Sequence, residues 1–140
     1  MPLSEIEQTT VDLTAKAVIV AEELKSRVSQ TEEMRRVPAE NLERIADAGL
    51  LSVLQSKKSG GDELSMRAHL DVVSAIAEGC SATAWVLGVM QAHSWIRAHF
   101  PQQAQADVYA KDKNTMVSAV IAPRGKAVRK SDGTYILNGF

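Results

Sequence analysis

The chain has 140 residues, which is about one domain and enough for a real hydrophobic core. Its 16 basic and 17 acidic residues nearly balance and do not cluster by sign, which argues against a nucleic-acid partner. The single cysteine, Cys80, excludes an internal disulfide and is expected to be a small buried side chain at a helix junction. The N-terminus has early acidic residues and no long apolar run. It therefore predicts neither a signal peptide nor a membrane span. The expected location is the cytoplasm.

The first half of the chain has the hydrophobic period of helices. The predicted first helix is long and amphipathic, and its expected buried positions are Ile6, Thr10, Leu13, Ala17, Val20, Leu24 and Val28. Pro38 suits the first turn of a second helix, and Gly49 suits its end. The second helix is expected to bury Leu42, Ile45 and Ala46. A polar loop, residues 55–63, follows, and its Gly60-Gly61 pair lacks the spacing of a phosphate-binding loop.

Three further helices are predicted up to Ala110. Ser65 is expected to cap the third helix, whose expected buried positions are Leu70, Val73, Ile76 and Ala77. Gly79 is expected to take the left-handed cap that ends it, and Ser81 to accept the first free N–H groups of the fourth helix. The fourth helix runs to about Ala98. Pro101 then opens a short fifth helix, with the inward-facing residues Ala104 and Val108.

The period changes from about 3.6 to 2 after Asn114. Residues 115–122 alternate as in a strand, and residues 123–125 form a turn. Residues 128–130 and 135–137 predict a hairpin, with Asp132-Gly133 as its two-residue turn. A sheet of two or three strands with an open edge is a poor place for a domain to end. We therefore expect a mainly α fold, with a helical domain in residues 1–112 and the truncated start of a β-domain in residues 113–140.

One face of the fourth helix combines a tryptophan with a histidine. Trp85, Val89, His93 and Ile96 recur every three or four residues, so they share that face. A histidine there is either a satisfied core residue or the polar group of a pocket, and residue type alone leaves both interpretations open. The sequence contains no catalytic Ser-His-Asp or Cys-His pattern and no metal-ligand spacing.

Three segments and His93 carry a family resemblance. Ala48–Gln55, Gly60–Leu64 and Ala77–Gly88, together with His93, resemble the oxygenase components of two-component flavin-dependent aromatic hydroxylases of the p-hydroxyphenylacetate hydroxylase type. These hydroxylases have the acyl-CoA dehydrogenase fold, and the resemblance runs from about Val37 to Phe140. The first two segments are shared with true acyl-CoA dehydrogenases, whereas the third segment with His93 favours the hydroxylases. The resemblance implies a piece of a longer protein: a natural truncation, a cloned fragment or a mis-called reading frame.

The resemblance also implies a function for the intact protein. It would be a monooxygenase that hydroxylates a phenolic, steroid-ring or indole-type substrate, using O₂ and reduced FMN or FAD from a separate flavin reductase. The intact family forms homotetramers, and the isolated chain is expected to be inactive. His93 would be the catalytic residue, close to the substrate hydroxyl, because an imidazole can exchange a proton near neutral pH. Trp85 would bind substrate, and Ser118 would contact both substrate and flavin.

The residues themselves allow other interpretations. Trp85 suits a helical core, and Ser118 can simply bond a neighbouring backbone group. An acyl-CoA dehydrogenase is the first alternative, because its catalytic glutamate lies beyond residue 140. The second alternative is a catalytically inactive helical interaction module, which would expose apolar surface and self-associate.

Overall fold

The computed structural model describes residues 3–120, 122 and 124–139. These residues form helices α1 (Glu5–Lys25), α2 (Val28–Met34), α3 (Ala39–Asp47), α4 (Met66–Ala77), α5 (Ser81–Arg97) and α6 (Gln102–Tyr109) and strands β1 (Lys126–Arg129) and β2 (Tyr135–Asn138). A single 3-10 turn, Lys57–Ser59, interrupts the loop between α3 and α4. The predicted mainly α fold, followed by strands, is confirmed. No helix in this part of the chain is long and apolar enough to cross a membrane.

Helix α1 is the longest element and forms one side of the core. A capping box starts it, because the Ser4 side chain accepts from the Glu7 N–H and the Glu7 carboxylate accepts from the Ser4 N–H. Its buried face matches the prediction from Leu13 onward, with Leu13, Ala17, Val20, Ala21 and Leu24. Ile6 is exposed, however, since the buried face begins only two turns later.

The predicted first helix is wrong at its C-terminal end. It stops at Lys25, and Val28 begins a separate helix, α2. The break accompanies an inward contact of Arg27, whose Nε donates to Asn41 Oδ1 at 2.6 Å. A polar bond to a residue 14 positions away is invisible to hydrophobic periodicity.

Helix α4 packs on α1, and α5 packs on α4; together with Ile45 of α3 and the run Leu50–Leu54 they complete the core. Ser65 caps α4 as predicted, accepting from the Ala68 N–H. The predicted buried face of α4 is wrong: Leu70 is 53% exposed and Ala77 is exposed, although Ile76 is buried. The buried residues are Ala68, His69, Val72 and Ile76. The face is rotated because His69 finds a buried partner and can turn inward.

Two predictions at the junction of α4 and α5 are wrong. Gly79 does not have a positive φ; instead its Cα lies so close to α1 that an added Cβ would be 2.7 Å from Ala21 Cα and nearer still to the Ala21 carbonyl oxygen. Ser81 is the first helical residue of α5 rather than its cap, because Cys80 occupies the N-cap and makes no side-chain cap bond. Cys80 is buried, as expected. Gly49, after α3, does adopt the left-handed conformation, with φ of 77°.

The β region is partly as predicted. β1 and β2 pair antiparallel from Lys126 opposite Asn138 to Arg129 opposite Tyr135. The hydrogen bond from the Lys130 N–H to the Thr134 carbonyl leaves a loop of three residues, 131–133, rather than the predicted two. Gly133 adopts a φ of 84° in this loop. Residues 115–120 form no strand, which contradicts the prediction. Alternating side chains favour an extended backbone, but a strand also needs a neighbouring strand to pair with. The predicted turn at 123–125 includes Pro123, which lies outside the described residues.

Candidate functional site

Helix α5 holds His93 against the segment that follows α6. His93 is only 7% exposed, and its Nδ1 lies 2.9 Å from the carbonyl oxygen of Val117. A carbonyl oxygen can only accept a hydrogen bond, so Nδ1 carries the hydrogen. In the neutral imidazole the lone pair therefore lies on Nε2. That atom is the one through which His93 can accept a hydrogen bond from a ligand.

A buried amide fixes the orientation of α5 two residues before His93. Gln91 is fully buried; its Nε2 donates to the Leu50 carbonyl at 2.6 Å, and its Oε1 lies 2.6 Å from His69 Nδ1. Since Leu50 O accepts from the amide nitrogen, Oε1 must accept from His69. The amide thus joins α5 to α4 and to the apolar run after α3. Sequence reasoning missed this contact, because its partners lie 22 and 41 positions away.

A second buried polar chain holds the N-terminal end of α5. Asn41 Nδ2 donates to Thr83 Oγ1 at 3.1 Å, and Thr83 Oγ1 donates to Cys80 Sγ at 3.2 Å. Asn41 Oδ1 accepts from Arg27, as described above. Buried polar groups that are satisfied in this way specify one arrangement of the helices. Together with Gln91, they set the rotation of α5 about its own axis.

The four residues expected to share one face of α5 lie in different environments. His93 is buried, Val89 is half-buried, and Trp85 and Ile96 are exposed, with Trp85 at 75%. The inward side of the helix is instead lined by Thr83, Ala84, Leu87, Gln91 and Ser94. This side carries polar groups because their partners are present, which an apolar period does not reveal.

His93 and Ser118 come close together, and Trp85 does not join them. The carbonyl that His93 binds belongs to Val117, the residue directly before Ser118, whose own side chain is exposed. Trp85 lies two turns before His93, about 12 Å along the helix axis. The functional roles of all three residues remain predictions.

One turn beyond His93, a buried arginine was missed by sequence reasoning. Arg97 is 4% exposed, its Nη2 reaches Ser94 Oγ only at 3.5 Å, and its Nε and Nη1 have no partner among the described residues. Its guanidinium carbon lies 4.1 Å from the centroid of the Tyr109 ring. Burial lowers the pKa of Arg97, because it penalises the charged form. No single-residue signal in the sequence marks this position.

An open cleft of about 880 Å³ lies where the end of α5 meets α6 and the loop around the 3-10 turn. Its walls include Trp95, His99, Phe100 and Tyr109, with Lys58 at the loop side. Successive residues of a helix are about 100° apart, so Trp95 points roughly 200° away from His93 around α5. The cleft and the His93 position therefore lie on opposite flanks of the same helix.

The helical part of the chain matches a known family. Residues 7–112 match the model for the acyl-CoA dehydrogenase N-terminal domain. This match covers most of the chain, so the protein belongs to the acyl-CoA dehydrogenase family.

Individual relatives come from one branch of that family. The chain is 34% identical over 116 residues to the oxygenase subunit HsaA of a flavin-dependent monooxygenase from Rhodococcus jostii, which covers 83% of this chain and 30% of the relative. It is 32% identical over 129 residues to the oxygenase component of an FADH2-dependent resorcinol hydroxylase from Rhizobium sp., which covers 92% of this chain and 31% of the relative. The crystal structure of the HsaA monooxygenase from M. tuberculosis matches with a TM-score of 0.86 at 30% identity, over 93% of this chain and 34% of that one.

These relatives confirm the resemblance to oxygenase components of flavin-dependent hydroxylases. They also show how much of such a protein this chain represents, because it spans about 30% of the length of the curated relatives.

Proposed function

We propose that this chain supplies the substrate-facing helix of a flavin-dependent aromatic hydroxylase, with His93 as the residue that binds the substrate hydroxyl. The observation that carries the proposal is the bond from His93 Nδ1–H to the Val117 carbonyl. This bond holds the ring in one tautomer and leaves Nε2 as an acceptor. A phenolic O–H can donate to Nε2, and the imidazole can then take up that proton as charge develops on the ring oxygen.

The residues after α6 suit a reduced flavin. Residues 115–120 belong to no sheet, so their peptide groups are not committed to a ladder, and the Ser118 side chain is exposed. A hydroxyl with adjacent peptide N–H and C=O groups can bond the polar edge of an isoalloxazine ring, whether it belongs to FMN or FAD. Reduced flavin, when bound, would supply the electrons that activate O₂, and one oxygen atom of O₂ would be transferred to the substrate. The role of Ser118 in this proposal is to hold the flavin edge beside the substrate.

Trp85 provides an apolar surface in the same proposal. A side chain of this size at 75% exposure offers a large area for another group to cover. We assign it to the wall of the substrate site, which the remainder of the protein would complete. That remainder would continue the β-domain that starts in residues 113–140, and the whole would act in the cytoplasm as a homotetramer with a separate flavin reductase.

Paired substitutions of His93 test the proposal in the full-length protein. His93→Asn keeps an N–H at the Nδ1 position for Val117 O and removes Nε2, whereas His93→Gln places its amide nearer the Nε2 position. We expect His93→Asn to lose hydroxylation of phenolic substrates by about 100-fold or more, the lower end expected for general acid–base catalysis. Binding of reduced flavin, measured by anaerobic titration with FMN and FAD, should persist. Product formation at the wild-type rate in His93→Asn would exclude His93 from the reaction.

The acyl-CoA dehydrogenase alternative gives a different result in the same protein. A dehydrogenase would oxidise an acyl-CoA with an artificial electron acceptor and would need neither O₂ nor a phenol. Turnover of acyl-CoA without hydroxylation would therefore replace the proposed function. A full-length protein that binds no flavin and self-associates would instead support the interaction module.

A further inference from the structure

Among the residues that the structure describes, Arg97 is a buried cation without a counterion. The ion pairs of the described residues are Lys25–Glu22, Arg44–Glu23 and Arg67–Asp71, so none of them includes Arg97. Arginines are almost never fully buried unless paired, because an unpaired buried charge is costly. A guanidinium binds a carboxylate through two neighbouring nitrogens, Nε with Nη2 or the two Nη. Each of these two forks contains one nitrogen that has no partner in this part of the chain.

Tyr109 separates Arg97 from the cleft. Its ring stacks on the guanidinium at 4.1 Å and also lines the cleft, while its hydroxyl is buried with no partner among the described residues. Helix α6, which carries Tyr109, has no buried residue of its own. Gln105 Nε2 ties this helix to the end of α5, by donating to the carbonyls of Ala98 and Phe100. Elements with so few buried contacts open at low free-energy cost, so little opposes displacement of the Tyr109 ring from Arg97.

The cleft itself has aromatic walls and two charged residues of opposite sign. Trp95 and His99 pack edge to face with ring centroids 4.8 Å apart, and Phe100 is largely exposed beside them. Lys58 contributes one positive charge to the lining. Glu63 is the opposing negative charge, but its carboxylate already accepts from the Lys57 N–H at 2.7 Å. A volume of about 880 Å³ lies in the range of small-molecule sites.

We propose that this cleft is a second ligand site, distinct from the His93 site, that binds an aromatic carboxylate. The aromatic ring of the ligand packs against Trp95 and Phe100, and its carboxylate pairs with Arg97 when the Tyr109 ring moves aside. A carboxylate matches the planar fork of the guanidinium and supplies the acceptors that Arg97 lacks. The proposal does not depend on hydroxylase activity, because it uses neither His93 nor Ser118 and is tested by ligand binding alone; Arg97 lies one turn beyond His93, behind the Tyr109 ring.

Benzoate is the probe, and the isotope-labelled 140-residue chain is the protein. The two tryptophan indole N–H signals report separately on the cleft (Trp95) and on a distant exposed site (Trp85). We expect saturable shifts of the Trp95 signal and none of the Trp85 signal. Benzamide, which has the same ring and no charge, should bind roughly 10-fold weaker or worse, because hydrogen bonds to charged groups contribute more than neutral ones.

Arg97→Met tests the assigned residue, and Arg67→Met is the matched control, because Arg67 is exposed on α4. We expect Arg97→Met to weaken benzoate binding roughly 10- to 100-fold and Arg67→Met to leave it unchanged. Absence of saturable benzoate binding, equal affinities for benzoate and benzamide, or wild-type affinity in Arg97→Met would each overturn the proposal. If circular dichroism shows that Arg97→Met does not fold, the ratio of the benzoate and benzamide affinities of the wild-type chain tests the proposal without it.

Discussion

The junction of α4 and α5 gives the sharpest test of the fold, through Gly79→Ala. An added Cβ would lie 2.7 Å from Ala21 Cα, about 0.8 Å closer than the shortest ordinary carbon contact of roughly 3.5 Å. The opposing atoms are backbone, so no rotamer change can relieve the overlap. Helix α1 must therefore move away from α4 by nearly 1 Å, and a gap of that size forfeits a quarter to a half of each contact across the interface.

We expect Gly79→Ala to lower the free energy of unfolding by about 3 kcal/mol, at the upper end of overpacking substitutions. Urea denaturation would show this as a midpoint lower by about 1.5 M, for a slope near 2 kcal/mol per M. Gly88→Ala is the matched control, because its Cβ would meet Val73 Cγ1 at 3.6 Å, an ordinary contact in the middle of α5. The control should gain about 0.5–1 kcal/mol from helix propensity.

Gly79→Asn separates the contact from a backbone explanation. If Gly79 were needed for a left-handed conformation, asparagine would be better tolerated than alanine. If glycine is needed at position 79 because of the close contact with Ala21, asparagine should be at least as destabilising as alanine. A Gly79→Ala protein within 0.5 kcal/mol of the wild type would refute the reasoning outright.

Two further predictions concern polar contacts between helices. Gln91→Leu leaves the Leu50 carbonyl and His69 Nδ1 without their buried partner, so we expect a loss of about 2–4 kcal/mol in urea denaturation. Glu23 has a pKa below its ordinary value, chiefly because the Arg44 guanidinium donates hydrogen bonds to its carboxylate. The contribution of this ion pair to stability is therefore present above about pH 4.5 and is lost as the pH falls through the lower folded-state pKa. The difference in unfolding free energy between the wild type and Glu23→Gln should therefore shrink on acidification below that pH.

Each of these two substitutions has a control on the same element or a neighbouring one. Leu70→Gln, at an exposed position of α4, should change stability by less than about 0.5 kcal/mol. Glu22→Gln loses only the exposed pair with Lys25 within α1, and the pKa of the Glu23 carboxyl should stay low. Equal losses in Gln91→Leu and Leu70→Gln would contradict the importance of the buried amide. If the difference in unfolding free energy between the wild type and Glu23→Gln did not change with pH, the assignment of the Glu23–Arg44 ion pair would be contradicted.

Hydrophobic period predicted where the helices lie, but not which polar residues turn inward. Leu13 to Leu24 and Ile45 were placed correctly because apolar side chains need no specific partner. Leu70 was predicted to be buried, but His69 is buried in its place, since the burial of His69 depends on Gln91, 22 positions away. The same reason hides Arg97 and its contact with Tyr109.

The strand prediction failed on a different physical ground. Alternation in residues 115–120 describes a backbone that can be extended, but pairing depends on a neighbour that the sequence of the segment does not specify. The hairpin of β1 and β2 was predictable because both partners are local and Gly133 marks the turn. At the candidate site, sequence and resemblance together predicted roles for His93 and Ser118, and these roles stay predictions. Neither could foresee the Val117 carbonyl that selects the tautomer of His93.

The buried amide of Gln91 also determines how accurately His93 is aimed. A side-chain tip lies about 6 Å from the helix axis, so a rotation of α5 by only 10° would carry the His93 ring through about 1 Å. Misplacement by 1 Å can reduce a reaction rate 100-fold. Under the proposed role of His93, residues outside the site, such as His69 and the Leu50 peptide, would affect turnover through the angle of one helix. Variants with altered activity should accordingly arise at the core positions around Gln91 as well as beside the reacting groups.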